Sequence, residues 1–243
     1  MSRQPALRPA ASIIVVRQAG SGLEVFMARR SARSAFLPDA YVFPGGAVEP
    51  ADGAPQMARF LDRVPENVGA GIVVAALREL FEEAGMLFGR THEGTPLSDR
   101  DVAEARHERS ARATFEDILQ RRQWQLCASR LVYYSRWLTP PIDVTRRFDT
   151  HFFIAEAEGD SRASADAVEM HDGVWVSPAE ALARGSQAVW TLVFPTLRHL
   201  ERLTAFSSLA ALRAHTNGRS PQPVMPIVDT NGAIRIPPEL EKW

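Results

Sequence analysis

Apolar residues fall in short β-prone runs near the start of the chain and take up helical spacing further along. Ser12 to Val16 and Leu23 to Ala28 are such runs, separated by Gly20-Ser21-Gly22, which predicts two strands joined as a hairpin. A polar stretch with Arg29, Arg30 and Arg33 follows, and Tyr41-Val42-Phe43 then runs into Pro44-Gly45-Gly46, a short strand ending in a turn. From about Gly71 to Ala84 the spacing of Val74, Leu77, Leu80 and Phe81 predicts a helix that Gly85 terminates. Asp99 to Arg122 is dense in charge and alanine and lacks glycine and proline, so it reads as a second long helix or a pair, inserted over about 97–123. Strand-like segments return at Leu131 to Leu138, Thr150 to Ala155 and Val174 to Ser177, and Ser177-Pro178 has the form of a helix cap and first position.

Leu192 to Ala214 supplies further helix, and the proline-rich tail from Pro221 to Pro238 is expected to lie extended along the surface. Strands and helices thus alternate irregularly, which points to a mixed sheet with helices packed on it. One compact unit over about 10–215 is expected, followed by the tail at 216–243.

Composition narrows the partners. With 45% hydrophobic residues among 243, the chain can bury a sizeable core. Its formal net charge is -1, so no overall field draws it to nucleic acid or an anionic membrane, and neither is expected as a partner. Any recognition of phosphate must be local, and the basic residues suit it: all but Lys242 are arginine, whose planar fork matches phosphate. Cys127 is the single cysteine, which excludes an intramolecular disulfide and a multi-thiolate metal site. The apolar run Ile13 to Val16 is too short to cross a bilayer, and a cytoplasmic protein is expected.

The strongest chemistry lies in Arg78-Glu79-Leu80-Phe81-Glu82-Glu83-Ala84-Gly85-Met86. Glu79, Glu82 and Glu83 stand at i, i+3 and i+4, so a helix places all three carboxylates on one face. Like charges packed this way cost stability unless something offsets them. A hard divalent cation is the natural compensator, and Arg78 can neutralise or orient one carboxylate from the side. On spacing alone a solvated acidic face remains open.

The whole string resembles the second half of the Nudix box: Arg-Glu, an apolar residue, any residue, Glu-Glu, any residue, Gly, an apolar residue. Pro44-Gly45-Gly46 resembles the glycine turn that opens the box. This resemblance implies an α/β fold, a Nudix-type α/β/α sandwich with a mixed sheet, here carrying an inserted helical element. It also implies Mg2+ or Mn2+ held by Glu79, Glu82 and Glu83, with a backbone carbonyl of Gly45 or Gly46 near the ion. Glu82 and Glu83 are then the leading ligands, while Glu79 either ligates or takes the proton of water; loss of Glu82 is expected to slow chemistry far more than it weakens folding. Family members often add a loop glutamate ahead of a strand that begins near tryptophan. Glu169, six residues before Trp175, fits that place as a fourth ligand or base.

One departure stands out. The usual box puts the arginine 14 positions after the glycine, whereas Gly46 and Arg78 are 32 apart, so about 18 residues are inserted. The early acidic position of the box is either Asp52 or absent, with an insertion after Asp52 favoured.

The segment Arg30-Ser31-Ala32-Arg33, the run from Phe36 to Gly46, and Arg147-Phe148-Asp149-Thr150-His151-Phe152-Phe153 after Leu138-Thr139-Pro140 extend the similarity. Together they resemble a Nudix subgroup of coenzyme A diphosphatases, the nudix motif 19 type, over about residues 12 to 200. The resemblance implies cleavage of coenzyme A or acyl-coenzyme A into a phosphopantetheine and adenosine 3′,5′-bisphosphate, with Arg30, Arg33 and Arg147 as candidates for the adenosine phosphates. The arginine spacing of the stricter coenzyme A signature is only partly kept. A small-molecule nucleoside diphosphate derivative such as ADP-ribose or NADH is therefore an alternative substrate, and a non-catalytic Nudix-fold binding module is a second alternative. The intact Arg78-Glu79 and Glu82-Glu83 pairs argue against the module. A homodimer is compatible with the sequence. Among the histidines, which show no zinc-like spacing, His151 and His171 are the ones placed to approach a pocket.

Overall fold

A computed structural model describes residues 5–33, 37–64, 67–141, 145–157 and 170–241. The chain opens with β1 (Leu7–Ala19), β2 (Gly22–Arg30), β3 (Ala40–Val42) and β4 (Gly45–Ala47), then a 3-10 turn at Pro55–Phe60 and α1 (Ala70–Ala84). Next come β5 (Gly89–Arg90), α2 (Asp99–Ser110), α3 (Phe115–Arg122), β6 (Gln125–Leu126), β7 (Val132–Leu138), β8 (Arg147–Glu156) and β9 (Met170–Val176). It closes with α4 (Pro178–Ser186), β10 (Thr191–Leu192), α5 (Phe194–Leu203), α6 (Leu209–Thr216), β11 (Pro223–Val224), β12 (Ile227–Val228) and β13 (Ile234–Arg235).

A nine-stranded sheet runs β10-β3-β2-β1-β8-β7-β11, with β4 also paired to β1 and β9 to β2. β1 and β8 are parallel from Leu7↔Arg147 to Val16↔Glu156, while β1–β2, β1–β4, β2–β9 and β7–β8 are antiparallel, so the sheet is mixed. Its strands are apolar on both sides because both faces are covered. Ala11, Ile13 and Val15 of β1 with Phe26 and Ala28 of β2 pack toward α1, α2 and α3. Ile14, Val16, Val25 and Met27 pack toward α4, α5 and α6. A strand buried on both faces reads as a continuous apolar run, and each fully buried Ile or Val contributes roughly 1.5–3 kcal/mol. This is the expected α/β/α sandwich.

β1 is longer than its apolar run, and that length positions the site. Its second half pairs with β2 at Val16↔Val25, while its first half pairs with β4 at Ala11↔Gly46 and Ser12↔Gly45. β3, held on β2 at Ala28↔Val42, thus hands the chain across to β1 through Phe43-Pro44. Ser12 Oγ donates to Pro44 O at 2.9 Å and Ile13 N–H to the same oxygen at 2.9 Å, fixing the glycine turn on the sheet.

The charged stretch from Asp99 forms a pair of helices. Thr114 caps α3 by accepting from Asp117 N–H, with Asp117 returning a bond to Thr114 N–H, and Arg112 takes φ 76 to make the break. The apolar stretch from Leu192 also divides, since Ser208 caps a new helix by accepting from Ala211 N–H. The tail does not simply lie extended along the surface: β11 adds to the sheet edge beside Arg136 and Trp137, β12 and β13 pair as a hairpin, and the apolar side chains of Val224 and Ile236 are drawn into the core. Among the described residues no helix is long and apolar enough to cross a membrane.

His199 of α5 is fully buried between Ser135 Oγ, 2.7 Å from Nε2, and Pro195 O, 2.5 Å from Nδ1. Burial pushes its imidazole down to about 3 from the ordinary 6.5. The unfolded chain binds this proton first, so the contribution of neutral His199 is complete above about pH 6.5 and declines as pH falls toward 3. Urea unfolding is expected to show a loss of about 1–2 kcal/mol between pH 7 and pH 5 that a His199→Gln variant lacks.

Candidate active site

α1 is buried on more than its apolar face. Val73, Val74, Leu77, Leu80 and Phe81 enter the core, and Arg78, Glu79 and Glu83 are buried with them at 4%, 9% and 5% exposure. Charged groups tolerate such burial only when they are paired and hydrogen-bonded. Gly85 then ends the helix in the left-handed region at φ 63, which a residue with a Cβ adopts only at a cost.

Arg78 is the hub of the pairing. Its Nε and Nη2 donate to the two oxygens of Asp52 at 2.9 and 3.0 Å, and Nη2 also reaches Ala47 O at 3.1 Å. Its Nη1 is shared between Glu79 Oε1 at 2.8 Å and Glu82 Oε2 at 2.9 Å. Burial works against the guanidinium charge, but the hydrogen bond to Asp52 and the carboxylates of Glu79, Asp52 and Glu82 outweigh it and hold the group charged. Asp52, 3% exposed, also accepts from Glu49 N–H at 2.8 Å. The acidic position left open between Asp52 and absence is therefore Asp52.

The insertion leaves this arrangement intact because its two ends meet. A Cβ on Gly71 would stand 2.9 Å from Gly53 Cα, so α1 begins against the loop that carries Asp52. The intervening residues fold back into the core through Met57, Phe60 and Leu61.

The glycine turn lies directly under the carboxylates. Gly45 N–H donates to Glu83 Oε2 at 2.8 Å. A Cβ on Gly45 would run into the backbone at Ala11 O and Ser12 Cα, so no side chain fits there, and one on Gly46 would push the Glu79 carboxylate aside. Two carboxylates are thus held beside bare backbone, a hard oxygen donor set of the kind a divalent cation takes. Among the described residues no three carboxylate, imidazole or thiolate groups already converge as an ion-enclosing cluster. Glu82 is held between two guanidinium groups: its Oε1 accepts from Arg109 Nε at 2.7 Å and its Oε2 from Arg78 Nη1 at 2.9 Å.

Arg109 and Arg106, whose Nη2 donates to Glu82 O at 3.0 Å, were not singled out from the sequence. Nothing in an evenly charged helix such as α2 distinguishes an arginine that turns inward from one in water. Glu169 lies outside the described residues, as does the side chain of His171. Arg30 ends β2, opposite Met170 of β9, and Arg33 is exposed just beyond it. Arg147, the first residue of β8, donates through Nε and Nη2 to Thr139 O at 3.2 and 3.1 Å, which ties the β7–β8 connection. His151 is 6% exposed, and burial lowers its imidazole pKa. Two surface hollows, one beside Leu87, Arg90 and Cys127 and one beside Val132, Glu156 and Leu212, are not lined by the box carboxylates.

A family model described as the NUDT19 Nudix domain matches residues 54–203. The acyl-coenzyme A diphosphatase NUDT19 of Gallus gallus is 32% identical over 248 residues, covering 81% of this chain and 65% of that protein. The human acyl-coenzyme A diphosphatase NUDT19 is 27% identical over 82% of this chain and 65% of its own length, so the chain spans just under two thirds of both relatives. The crystal structure of a NUDIX hydrolase from Alicyclobacillus acidocaldarius superposes with a TM-score of 0.70 at 28% identity, covering 86% of this chain and 96% of that one. With the box arginine, its carboxylates and the glycine turn assembled on this sheet, and with the family model covering well over half its length, the chain belongs to the NUDT19 Nudix domain family.

Proposed function

We propose that the protein hydrolyses the phosphoanhydride of coenzyme A or an acyl-coenzyme A with the help of Mg2+ or Mn2+, releasing a phosphopantetheine and adenosine 3′,5′-bisphosphate. The observation that carries the reaction class is the pair of carboxylates, Glu79 and Glu83, seated on Gly46 and Gly45. The choice of coenzyme A rests on the activity for which the chicken and human relatives are named.

A bound divalent ion supplies positive charge to the diphosphate and makes a water more acidic. Glu79 and Glu83 are the box residues to hold it, with a carbonyl of Gly45 or Gly46 and with Glu169 as a further ligand. Arg78 fixes Glu79 through Oε1, and the Gly45 N–H fixes Glu83 through Oε2, so neither carboxylate has to be reoriented when substrate arrives. The proton of the attacking water passes to a carboxylate oxygen, of Glu79 or Glu169. Arg30, at the end of β2, and Arg33, just beyond it, are suited to bind the adenosine phosphates, since planar guanidinium forks match phosphate oxygens.

The test is a panel of coenzyme A, acetyl-coenzyme A, ADP-ribose and NADH at equal enzyme and metal concentration, with products identified. The proposal expects kcat/KM for the coenzyme A compounds to exceed that for the other two by about tenfold or more, the size of a lost phosphate contact. Equal turnover across the panel would contradict a dedicated coenzyme A role.

A further inference from the structure

Glu82 differs from the other two box glutamates in what surrounds it. Glu83 accepts the Gly45 N–H and Glu79 shares Arg78 Nη1 through Oε1, whereas each oxygen of Glu82 meets a different guanidinium. Arg78 Nη1 stands 2.9 Å from Oε2 and Arg109 Nε 2.7 Å from Oε1, while Arg106 covers the main-chain carbonyl at 3.0 Å. Arg109 is in turn braced at the end of α2, where Nη1 donates to Ala113 O at 3.2 Å. The Glu82 side chain is 19% exposed and that of Arg109 37%, so the carboxylate is largely out of water while the Arg109 end of the pair is partly screened. A dication at Glu82 would have to displace one guanidinium and sit close to the other, and the like charges would repel.

We propose that Arg109 is a positioning residue of the inserted helix α2: it withholds Glu82 from the divalent ion, leaves Glu79 and Glu83 as the box ligands, and makes Glu82 the anchor that locks α2 to the carboxylate helix. This inference rests on the metal reading given above. It departs from the expectation that Glu82 is a leading ligand.

The test is Mn2+ titration of the full chain, followed by the electron paramagnetic resonance of the free ion, with hydrogen exchange measured over α2. Glu82→Gln should keep the Mn2+ dissociation constant within about twofold of the unaltered chain, while Glu83→Gln raises it by about tenfold or more. Arg109→Gln frees Glu82 and should tighten Mn2+ by about fivefold, the equivalent of one released ion pair, and the gain should vanish in the Arg109→Gln/Glu82→Gln double variant. Glu82→Gln and Arg109→Gln should each speed exchange across α2, since both break the Arg109–Glu82 contact. The proposal is overturned if Glu82→Gln weakens Mn2+ as much as Glu83→Gln, or if folded Arg109→Gln binds as the unaltered chain does. Should Arg109→Gln not fold, the comparison of Glu82→Gln with Glu83→Gln decides alone. Failure of the metal reading looks different: the unaltered chain would then show no saturable Mn2+ binding, and this inference would fall with it.

Discussion

A Glu83→Gln variant is expected to fold normally and to lose roughly a hundred- to a thousandfold in kcat, the cost of removing one aligned charge from a preorganised site. The amide oxygen of glutamine can still accept the Gly45 N–H that Glu83 Oε2 accepts at 2.8 Å, so the glycine turn stays seated. What disappears is the negative charge beside the diphosphate. Thermal unfolding without metal should move by no more than a few degrees, and steady-state assays should place the loss in kcat. A folded Glu83→Gln protein with unaltered kcat would remove this residue from the chemistry.

Arg78→Met should have the largest effect on stability. The guanidinium side chain is 5% exposed and its Asp52 partner 3%, so the variant strands a buried carboxylate and leaves Glu79 and Glu82 facing each other without the shared Nη1. Removing one member of a buried pair typically costs about 3–5 kcal/mol, more than the pair itself is worth, because the remaining charge has lost both water and partner. Urea unfolding at pH 7 would read that loss. A change below about 1 kcal/mol would place the Arg78–Asp52 contact in the class of exposed ion pairs. Arg78→Lys keeps a charge but cannot span both Asp52 oxygens and the two glutamates, and an intermediate loss is expected.

Much of the site was legible in sequence because local chemistry specifies it. The apolar spacing of Val74, Leu77, Leu80 and Phe81 fixes α1 to within a residue, and Gly85 ends it as its φ of 63 requires. The hairpin and the glycine turn were equally plain. Contacts between segments far apart in the chain were not. Counting from Gly46 or from Arg78 could not choose between Asp52 and no acid at all, since the closure of the insertion at Gly53 and Gly71 exists only in three dimensions. The break after α2 was visible solely as a capping box at Thr114 and Asp117, with no glycine or proline to announce it. Arg109 carried no signal, because one arginine in a charged helix looks like the next until the helix is packed. Arg147, singled out for phosphate from its place in a motif, also donates to Thr139 O, a contact that the sequence did not announce.

The central claim is that Glu79 and Glu83, set on the glycine turn, hydrolyse a diphosphate. The measurement that meets it most directly is mass spectrometry of the products formed from coenzyme A in heavy-oxygen water, with and without Mg2+ or Mn2+. The account predicts a phosphopantetheine and adenosine 3′,5′-bisphosphate, one heavy oxygen on one of the two newly formed phosphate ends, and no reaction after metal is removed. Intact coenzyme A in the presence of metal, or heavy oxygen at any bond other than the phosphoanhydride, would contradict it.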